Sequence, residues 1–358
     1  MWPSDPVSII FIKVVLVGKV AARIPVELNR IYFLRSQINS RLKQIFLHWE
    51  TIKHAMKLPS RFPLLLLLIT FAASCQTKQD TFRVFFLGGQ SNMEGFGFNK
   101  DLPPALNSNM KDVFIFDGNR VADGANDGGT GKWEPLRPGH GTGFTTDGKT
   151  NTPSDRFGPE LTFAARLREL YPNDKIAIIK YARNGSSIDS LAAGDAGCWM
   201  PDFNATTNQF DFFLQTINNA FSSGDINADG KPDDLVPAGI LWMQGEGDAS
   251  FTLEIANNYD QNLHYLMNMV RAALRVDDLP VVIGKISDSR NNPEKKMWKF
   301  GEIVQQAQEK FAKADGHAAI VRSTASYAYS DPYHYDSAGY IDLGKEFANA
   351  YQSIINKK

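Results

Sequence analysis

Residues 82–95 read FRVFFLGGQSNMEG, and this stretch decides the fold that the chain predicts. Its first six residues are rich in Val and Phe, which is typical of a short buried strand. Gly88 and Gly89 end the apolar run and allow backbone angles that a side chain would forbid. Ser91 follows at the expected start of a helix, where nearby N–H groups can face developing negative charge. The stretch therefore predicts a catalytic serine at a sheet edge, with a serine that only caps a helix as the alternative.

Strands and helices alternate along the rest of the chain. Apolar runs predict strands at 82–87, 113–116, 175–181, 235–243, 280–286 and 318–322. Longer segments predict helices at 157–171, 209–221, 254–276, 297–314 and 337–356. This alternation predicts one α/β domain, a three-layer α/β/α sandwich with a mostly parallel central sheet of about five strands.

Residues 117–158 interrupt the alternation. They are dense in Gly, Asp, Asn, Thr and Pro, which indicates a long surface excursion rather than regular structure. Long loops in compact domains are often functional, so Trp133 and His140 are candidates for contact with a substrate or for plain loop residues.

Basic and acidic residues are divided unevenly. Residues 1–74 hold ten Lys or Arg and three Asp or Glu, whereas 28 basic and 36 acidic residues follow. Proteins bind nucleic acids through clustered Lys and Arg, so the acidic composition after residue 74 predicts that nucleic acid is not a partner.

Residues 56–75, MKLPSRFPLLLLLITFAASC, account for part of this division. Lys57 and Arg61 precede an apolar run that is too short to span a bilayer, and small residues then lead to Cys75. The pattern resembles a bacterial lipoprotein signal in which Cys75 becomes the lipidated first residue, although Ala72 stands where leucine is usual. A buried apolar helix is the alternative.

A signal of this kind begins at the initiating methionine, and Met56 is placed to be one. The expected division of the chain is an over-extended gene start at 1–55, a signal peptide at 56–74, a tether at 75–81 and one folded domain at 82–358. We therefore expect an exported bacterial lipoprotein in the periplasm or cell envelope, with membrane contact through its lipid anchor only. With Cys75 lipidated, Cys198 has no disulfide partner and is expected to be an inert thiol.

A serine nucleophile needs a base that a third group orients. His334 has the best setting of the six histidines, because Asp331 lies three residues earlier on a loop stiffened by Pro332. An aspartate at that spacing can bind one ring nitrogen while the other faces the serine. Both segments follow predicted strands, whose carboxyl ends meet at one edge of a parallel sheet.

Four segments occur in a fixed order: GQSNMEG from Gly89, YARNGSS from Tyr181, WMQGEGD from Trp242 and DPYH from Asp331. Together they resemble the SGNH (GDSL-type) hydrolase superfamily, and more closely its sialate O-acetylesterase / acetylxylan esterase branch, carbohydrate esterase family six. The resemblance spans residues 82–356. It implies a flavodoxin-like SGNH hydrolase fold and an esterase that removes O-acetyl groups from acetylated xylan, sialic acid or a related glycan. It also implies an acetylated oligo- or polysaccharide as partner and no cofactor for catalysis.

The resemblance assigns roles residue by residue. Ser91 matches the nucleophile, His334 the general base and acid, and Asp331 its orienting carboxylate. The oxyanion hole maps to the N–H of Ser91, the N–H of Gly185 and the side-chain amide of Gln244.

Other residues of these segments receive less defined roles. Glu246 either assists His334 as an alternative carboxylate or holds the Gln244 loop. Further candidates for contact with substrate are Gln90, Asn92 and Asn184. The chain departs from the family pattern at Asn184, Met243 and Gly247, which leaves the shape of the pocket open. Two other functions stay open: a broader short-chain carboxylesterase or lipase-like hydrolase, and a non-catalytic glycan-binding lipoprotein.

Residues 225–234, DINADGKPDD, match the first nine positions of an EF-hand-type calcium loop. The matched ligand positions are Asp225, Asn227, Asp229, Lys231 and Asp233. Position twelve is Val236, so the bidentate acid is missing unless Asp234 replaces it. The segment predicts either a structural calcium site or a solvated acidic turn.

Overall fold

The computed structural model describes residues 79–120, 128–290 and 293–357, which all belong to the unit Thr77–Lys358. The predictions for the gene start, the signal peptide and Cys75 lie outside the described residues. Among the described residues, no helix has both the length and the apolar character that crossing a bilayer requires.

The elements agree with the predicted alternation. The strands are β1 Thr81–Gly89, β2 Gly97–Phe98, β3 Val113–Asp117, β4 Glu134–Pro135, β5 Thr145–Thr146, β6 Asn151–Thr152, β7 Arg156–Phe157, β8 Lys175–Ala182, β9 Asp234–Met243, β10 Val281–Gly284 and β11 Ala318–Val321. The helices are α1 Ser91–Glu94, α2 Glu160–Leu170, α3 Gln209–Ser222, α4 Leu253–Leu274, α5 Gly301–Ala314 and α6 Ser337–Ile355.

Seven strands form the central sheet in the order β11-β10-β9-β1-β8-β3-β4. All neighbours are parallel except β4, a two-residue strand that pairs antiparallel with β3. Without the edge pair β3 and β4, the order β8-β1-β9-β10-β11 is the 2-1-3-4-5 order of flavodoxin-like folds. The predicted fold class is confirmed. The sheet has seven strands instead of about five: its six parallel strands match the six predicted apolar runs, and β4 is added at one edge.

Two adjacent phenylalanines of β1 show why helices cover both faces of the sheet. Phe85 packs edge-on against Phe163 of α2 and Tyr351 of α6, with ring centroids 5.1 Å apart in each pair. Phe86 lies 4.6 Å from Phe213 of α3. Successive strand residues point to opposite faces, so each ring anchors a different helical layer. Truncating either buried ring to alanine is expected to cost about 3–5 kcal/mol.

The glycines after the apolar run belong to β1, whereas the sequence indicated that they end it. Gly89 has a φ of +142°, and a Cβ there would lie 2.0 Å from the carbonyl oxygen of Met243. The strand therefore approaches β9 more closely than any other residue would permit. The N–H of Gln90 then donates to that same carbonyl over 2.9 Å. This contact fixes the point where β1 delivers Ser91.

The described residues of 117–158 are mostly irregular, as their composition indicated, but several of their large side chains are buried. Leu136 and His140 are fully buried, and Trp133 is buried with its Nε1 donating to the Ala220 carbonyl. His140 lies between the carboxylates of Asp117 and Glu134. Contact of Trp133 or His140 with substrate was one of the two predicted roles. Both side chains are buried, so that role is wrong. Polar composition did not reveal that these few large side chains anchor the segment to the core.

Candidate active site

Ser91 begins α1 directly beyond the carboxyl end of β1. The carbonyl of Gln90 accepts from the N–H groups of Met93 and Glu94, which closes the single helical turn. Ser91 is buried, and within the described part of the chain its N–H donates to no protein group. A serine hydroxyl beside an unused N–H group suits a nucleophile, because the N–H can stabilise the negative charge that develops on the carbonyl oxygen of the attacked ester.

His334 and Asp331 form a close pair on the loop after β11. Nδ1 of His334 lies 2.7 Å from Oδ2 of Asp331. The other carboxylate oxygen of Asp331 accepts from the N–H groups of Tyr333 and His334, at 2.8 and 2.9 Å. Burial raises the pKa of Asp331, but these hydrogen bonds outweigh it and hold the pKa below its usual value. The carboxylate therefore stays ionised and orients the imidazole, which leaves Nε2 for proton transfer.

Phe96 supports the imidazole from one side. Its ring stacks on that of His334 with centroids 3.6 Å apart and an interplanar angle of 4°. The contact covers one face of the imidazole and limits its rotation. This role could not be predicted from the sequence, because Phe96 lies just after the motif and meets His334 only through the tertiary fold.

Asn92 joins the serine and histidine segments. Its Nδ2 donates to the carbonyl of Tyr333 over 3.3 Å, and its Oδ1 accepts from the N–H of Tyr335 over 3.4 Å. These two residues flank His334 in the chain. Oδ1 also accepts from the hydroxyl of Tyr340 over 2.8 Å. The His334 loop is thus docked against the residue next to Ser91.

Glu246 lies in the same cluster but does not pair with the histidine. Its Oε1 accepts from Nδ2 of Asn92 over 2.8 Å, and its buried Oε2 has no hydrogen-bond partner among the described residues. Burial raises the pKa of Glu246 to about 7. Of the two carboxylates that the sequence offered for His334, the structure places Asp331 against its ring.

Gly185 lies on an exposed turn after β8, with a φ of +77°. Within the described residues its N–H donates to no protein group. The turn is held against α1, because the N–H of Asn184 donates to Oε2 of Glu94 over 3.0 Å. The side chain of Asn184 lies at the exposed rim, so its contact with substrate stays a prediction.

Gln244 is fully buried after β9. Its Nε2 lies 2.6 Å from Oδ2 of Asp248, and 3.3 and 3.4 Å from the Ser186 carbonyl and Oε1 of Gln90. One amide hydrogen is thus firmly engaged within the protein, whereas the other is only weakly held. The role of Gln244 as an oxyanion donor stays a prediction.

Asp248 accepts a hydrogen bond from the Gln244 amide, a contact that was not predicted from the sequence. It is fully buried, and besides Gln244 it accepts from the N–H groups of Ile188 and Asp189 over 2.9 and 2.8 Å. Burial raises the pKa of Asp248 to about 6. Its position at the end of the WMQGEGD segment could have identified it from the sequence. The carboxylate connects the loops after β8 and β9.

Gln90 and Asn92 are mostly committed to the protein itself. Oε1 of Gln90 accepts from the N–H of Gly247 over 3.1 Å, and both side chains are buried. Their contact with substrate stays a prediction, and holding the loops together is the role that the observed bonds support. Cys198 is likewise buried, and burial raises the pKa of its thiol to about 12, so this cysteine is inert at neutral pH.

In residues 225–234, the segment that resembles a calcium loop, carboxylates accept hydrogen bonds from the segment's own N–H groups. Asp225 accepts from the N–H groups of Asp229 and Gly230, at 3.2 and 2.8 Å. Asp233 accepts from the N–H of Ile226 over 2.7 Å. Within the described residues, no group of three or more His, Cys, Asp or Glu is arranged to hold a metal ion. Calcium binding stays a prediction.

One known protein family matches most of the chain. The sequence model of the carbohydrate esterase, sialic acid-specific acetylesterase family matches residues 81–353. The chain belongs to this family. The family resemblance carried by the four segments is confirmed, and the protein is a carbohydrate O-acetylesterase. A search of curated proteins finds no match.

Two solved structures share the fold of this acetylesterase. A protein from Arabidopsis thaliana aligns with a TM-score of 0.53 at 20% identity, over 77% of this chain and 98% of that one. A carbohydrate acetylesterase from Xanthomonas citri aligns with a TM-score of 0.51 at 18% identity, over 77% of this chain and 57% of that one. This chain therefore spans little more than half of the Xanthomonas protein.

Proposed function

We propose that this acetylesterase works by acyl transfer through Ser91, with His334 as general base and acid and Asp331 as orienting carboxylate. The docking of the His334 loop on α1 carries the proposal. Asn92, which follows Ser91, binds the main chain on both sides of His334 at 3.3 and 3.4 Å. This docking holds the His334 loop against the residue next to Ser91, which supports the proposal.

In the first step, Ser91 Oγ attacks the acetyl carbonyl carbon while Nε2 of His334 takes the hydroxyl proton. A carbon–oxygen bond forms to Ser91, and the bond from the acetyl carbon to the sugar oxygen breaks. His334 returns the proton to the sugar oxygen, so the sugar leaves as an alcohol. Asp331 stabilises the imidazolium that exists between these two transfers.

In the second step, water attacks the acetyl group on Ser91 while His334 takes one of its protons. The bond from the acetyl carbon to Ser91 Oγ breaks, and His334 returns the proton to Oγ. Acetic acid is released, ionises in solution, and the enzyme is restored. No cofactor takes part in this scheme.

The negative oxygen of both tetrahedral intermediates is proposed to bind the N–H groups of Ser91 and Gly185. Neither N–H donates a hydrogen bond to another described protein group, which supports this role. Gln244 is proposed as the third donor, through the amide hydrogen whose contacts are long, at 3.3 and 3.4 Å. Loss of one such donor is expected to cost on the order of a hundredfold in rate.

Acetate release from acetylated xylan and from O-acetylated sialic acid tests the proposal and separates the two glycan classes. Ser91→Ala is expected to abolish release on both, while circular dichroism stays that of the parent. Ser353→Ala, which changes an exposed serine of α6, is the matched control. Parental rates in Ser91→Ala would remove Ser91 from the mechanism.

We further propose that the protein is exported and anchored through a lipid on Cys75. The support is the order of basic, apolar and small residues in 56–75. Radiolabelled palmitate is expected to label the parent expressed in a bacterial host and not Cys75→Ala. Recovery of peptides from residues 1–55 in the native product would contradict the proposed start at Met56.

A further inference from the structure

The residue before the catalytic histidine presents an aromatic ring at the surface. Tyr333 is 46% exposed, and its ring centroid lies 6.1 Å from that of His334. Single exposed rings are common on protein surfaces, but this one lies beside the imidazole proposed to transfer the proton, where a bound substrate can reach it.

A second ring lies beside the first. Trp298, from the segment between β10 and α5, has its ring centroid 5.8 Å from that of Tyr333, with an interplanar angle of 43°. Trp298 is half-buried and retains some exposed surface. The two rings therefore form an aromatic pair next to the imidazole.

Hydrogen bonds hold this pair in place. The carboxylate of Asp288 accepts from the N–H groups of Met297 and Trp298, at 3.1 and 2.9 Å, which explains why α5 begins at Gly301 rather than at 297. Nε1 of Trp298 donates to the Ser287 carbonyl over 3.1 Å. The hydroxyl of Ser289 donates to the Pro332 carbonyl over 2.8 Å, and so connects the two loops. The indole of Trp298 and the main chain next to Tyr333 are thus held before substrate binds.

The reaction fixes where the sugar must lie. His334 protonates the leaving sugar oxygen, so the sugar ring has to pass within hydrogen-bond reach of the imidazole. Sugar rings present C–H groups with partial positive charge, and the face of an aromatic ring carries partial negative charge. An acetyl ester of a small alcohol offers no such face.

We propose that Tyr333 and Trp298 form a stacking platform for the sugar ring that carries the acetyl group, and so make the enzyme prefer saccharide esters. This inference rests on the proposed roles of Ser91 and His334. The platform acts on the leaving group and has no part in proton transfer.

The ratio of kcat/KM for an acetylated xylo-oligosaccharide to kcat/KM for ethyl acetate measures the platform directly. Trp298→Ala and Tyr333→Ala are each expected to lower this ratio by about 3–30-fold, mainly through KM for the oligosaccharide. Trp298→Phe and Tyr333→Phe keep a ring and are expected to restore most of it. The main-chain carbonyl that Asn92 binds is present in every Tyr333 variant.

Tyr265→Ala is the matched control, because Tyr265 is 44% exposed on α4 and belongs to neither loop. Its ratio is expected to equal that of the parent. An unchanged ratio in both alanine variants of the platform would overturn the proposal. If it came with equal losses of kcat/KM on the two esters, the common loss would indicate a disturbed His334. Activity that survives in Ser91→Ala would instead refute the catalytic scheme, so the two failures are distinguishable.

Discussion

Asn92 donates a hydrogen bond to Glu246 over 2.8 Å, and this bond connects the segment of Ser91 to the loop after β9. The same amide also binds the loop of His334. A single buried side chain therefore holds three chain segments of the site together. Because such an amide is costly to leave unpaired, it also specifies how these segments meet.

Removal of this amide is expected to weaken the fold. Asn92→Ala leaves Glu246 and the main chain around His334 without their partner, and we expect a loss of about 1–3 kcal/mol in the free energy of unfolding. Urea denaturation measures it. Asn204→Ala, at an exposed position, serves as the control and is expected to stay within about 0.5 kcal/mol of the parent. Equal stabilities of the two variants would contradict this role of Asn92.

Burial of Glu246 predicts a pH-dependent stability. Its pKa is about 7 in the folded protein, against an ordinary value of 4.5, so the fold favours the protonated carboxyl. The contribution to stability is complete below pH 4.5 and is lost as pH rises through 7. Relative to Glu246→Gln, the parent is expected to lose on the order of 3 kcal/mol across this window. Urea denaturation of both proteins at several pH values measures the difference, which would be flat if the carboxyl were ordinary.

The two acidic residues near His334 are expected to differ in their effect on turnover. Asp331→Asn removes the charge that orients the imidazole, and we expect kcat to fall by about 10²–10⁴-fold. Glu246→Gln keeps an acceptor for Asn92 and is expected to lower kcat by less than about tenfold. Steady-state kinetics on an acetylated glycan compares them. The reverse order would make Glu246 the partner of the histidine.

Calcium is expected to stabilise the protein if residues 225–234 bind it. A ligand that binds only the folded state raises the unfolding midpoint with its concentration. Thermal unfolding with calcium, with magnesium and with a chelator measures the effect, and Asp229→Asn should abolish it. A midpoint that calcium leaves unchanged would mean that the segment is a plain acidic turn.

Much of the fold could be predicted from periodicity. In the described part of the chain, the six parallel strands and the five longer helices were all expected, because apolar runs of strand length alternate with longer amphipathic segments. The ends of the helices and strands were less predictable. The segment 297–300 has helical composition, but the carboxylate of Asp288 captures its N–H groups, and that contact is visible only in the tertiary structure.

The residues of the site were predictable where a motif carries the chemistry. Asp331 and His334 lie on a loop and Ser91 begins α1, and each of these two segments follows a strand of the parallel sheet. The contacts of Phe96 with His334 and of Asn92 with Tyr333 join residues more than 200 positions apart. No local pattern encodes such pairs, because they depend on how the loops pack once the sheet has formed.

Labelling with a fluorophosphonate tests whether His334 activates Ser91. Such a probe reacts with an activated serine whichever step limits turnover. Peptide mapping is expected to find one adduct, on Ser91, that forms at least a hundredfold more slowly in His334→Ala, roughly the contribution of a general base. An adduct on another serine, or equal rates in the parent and His334→Ala, would contradict the account.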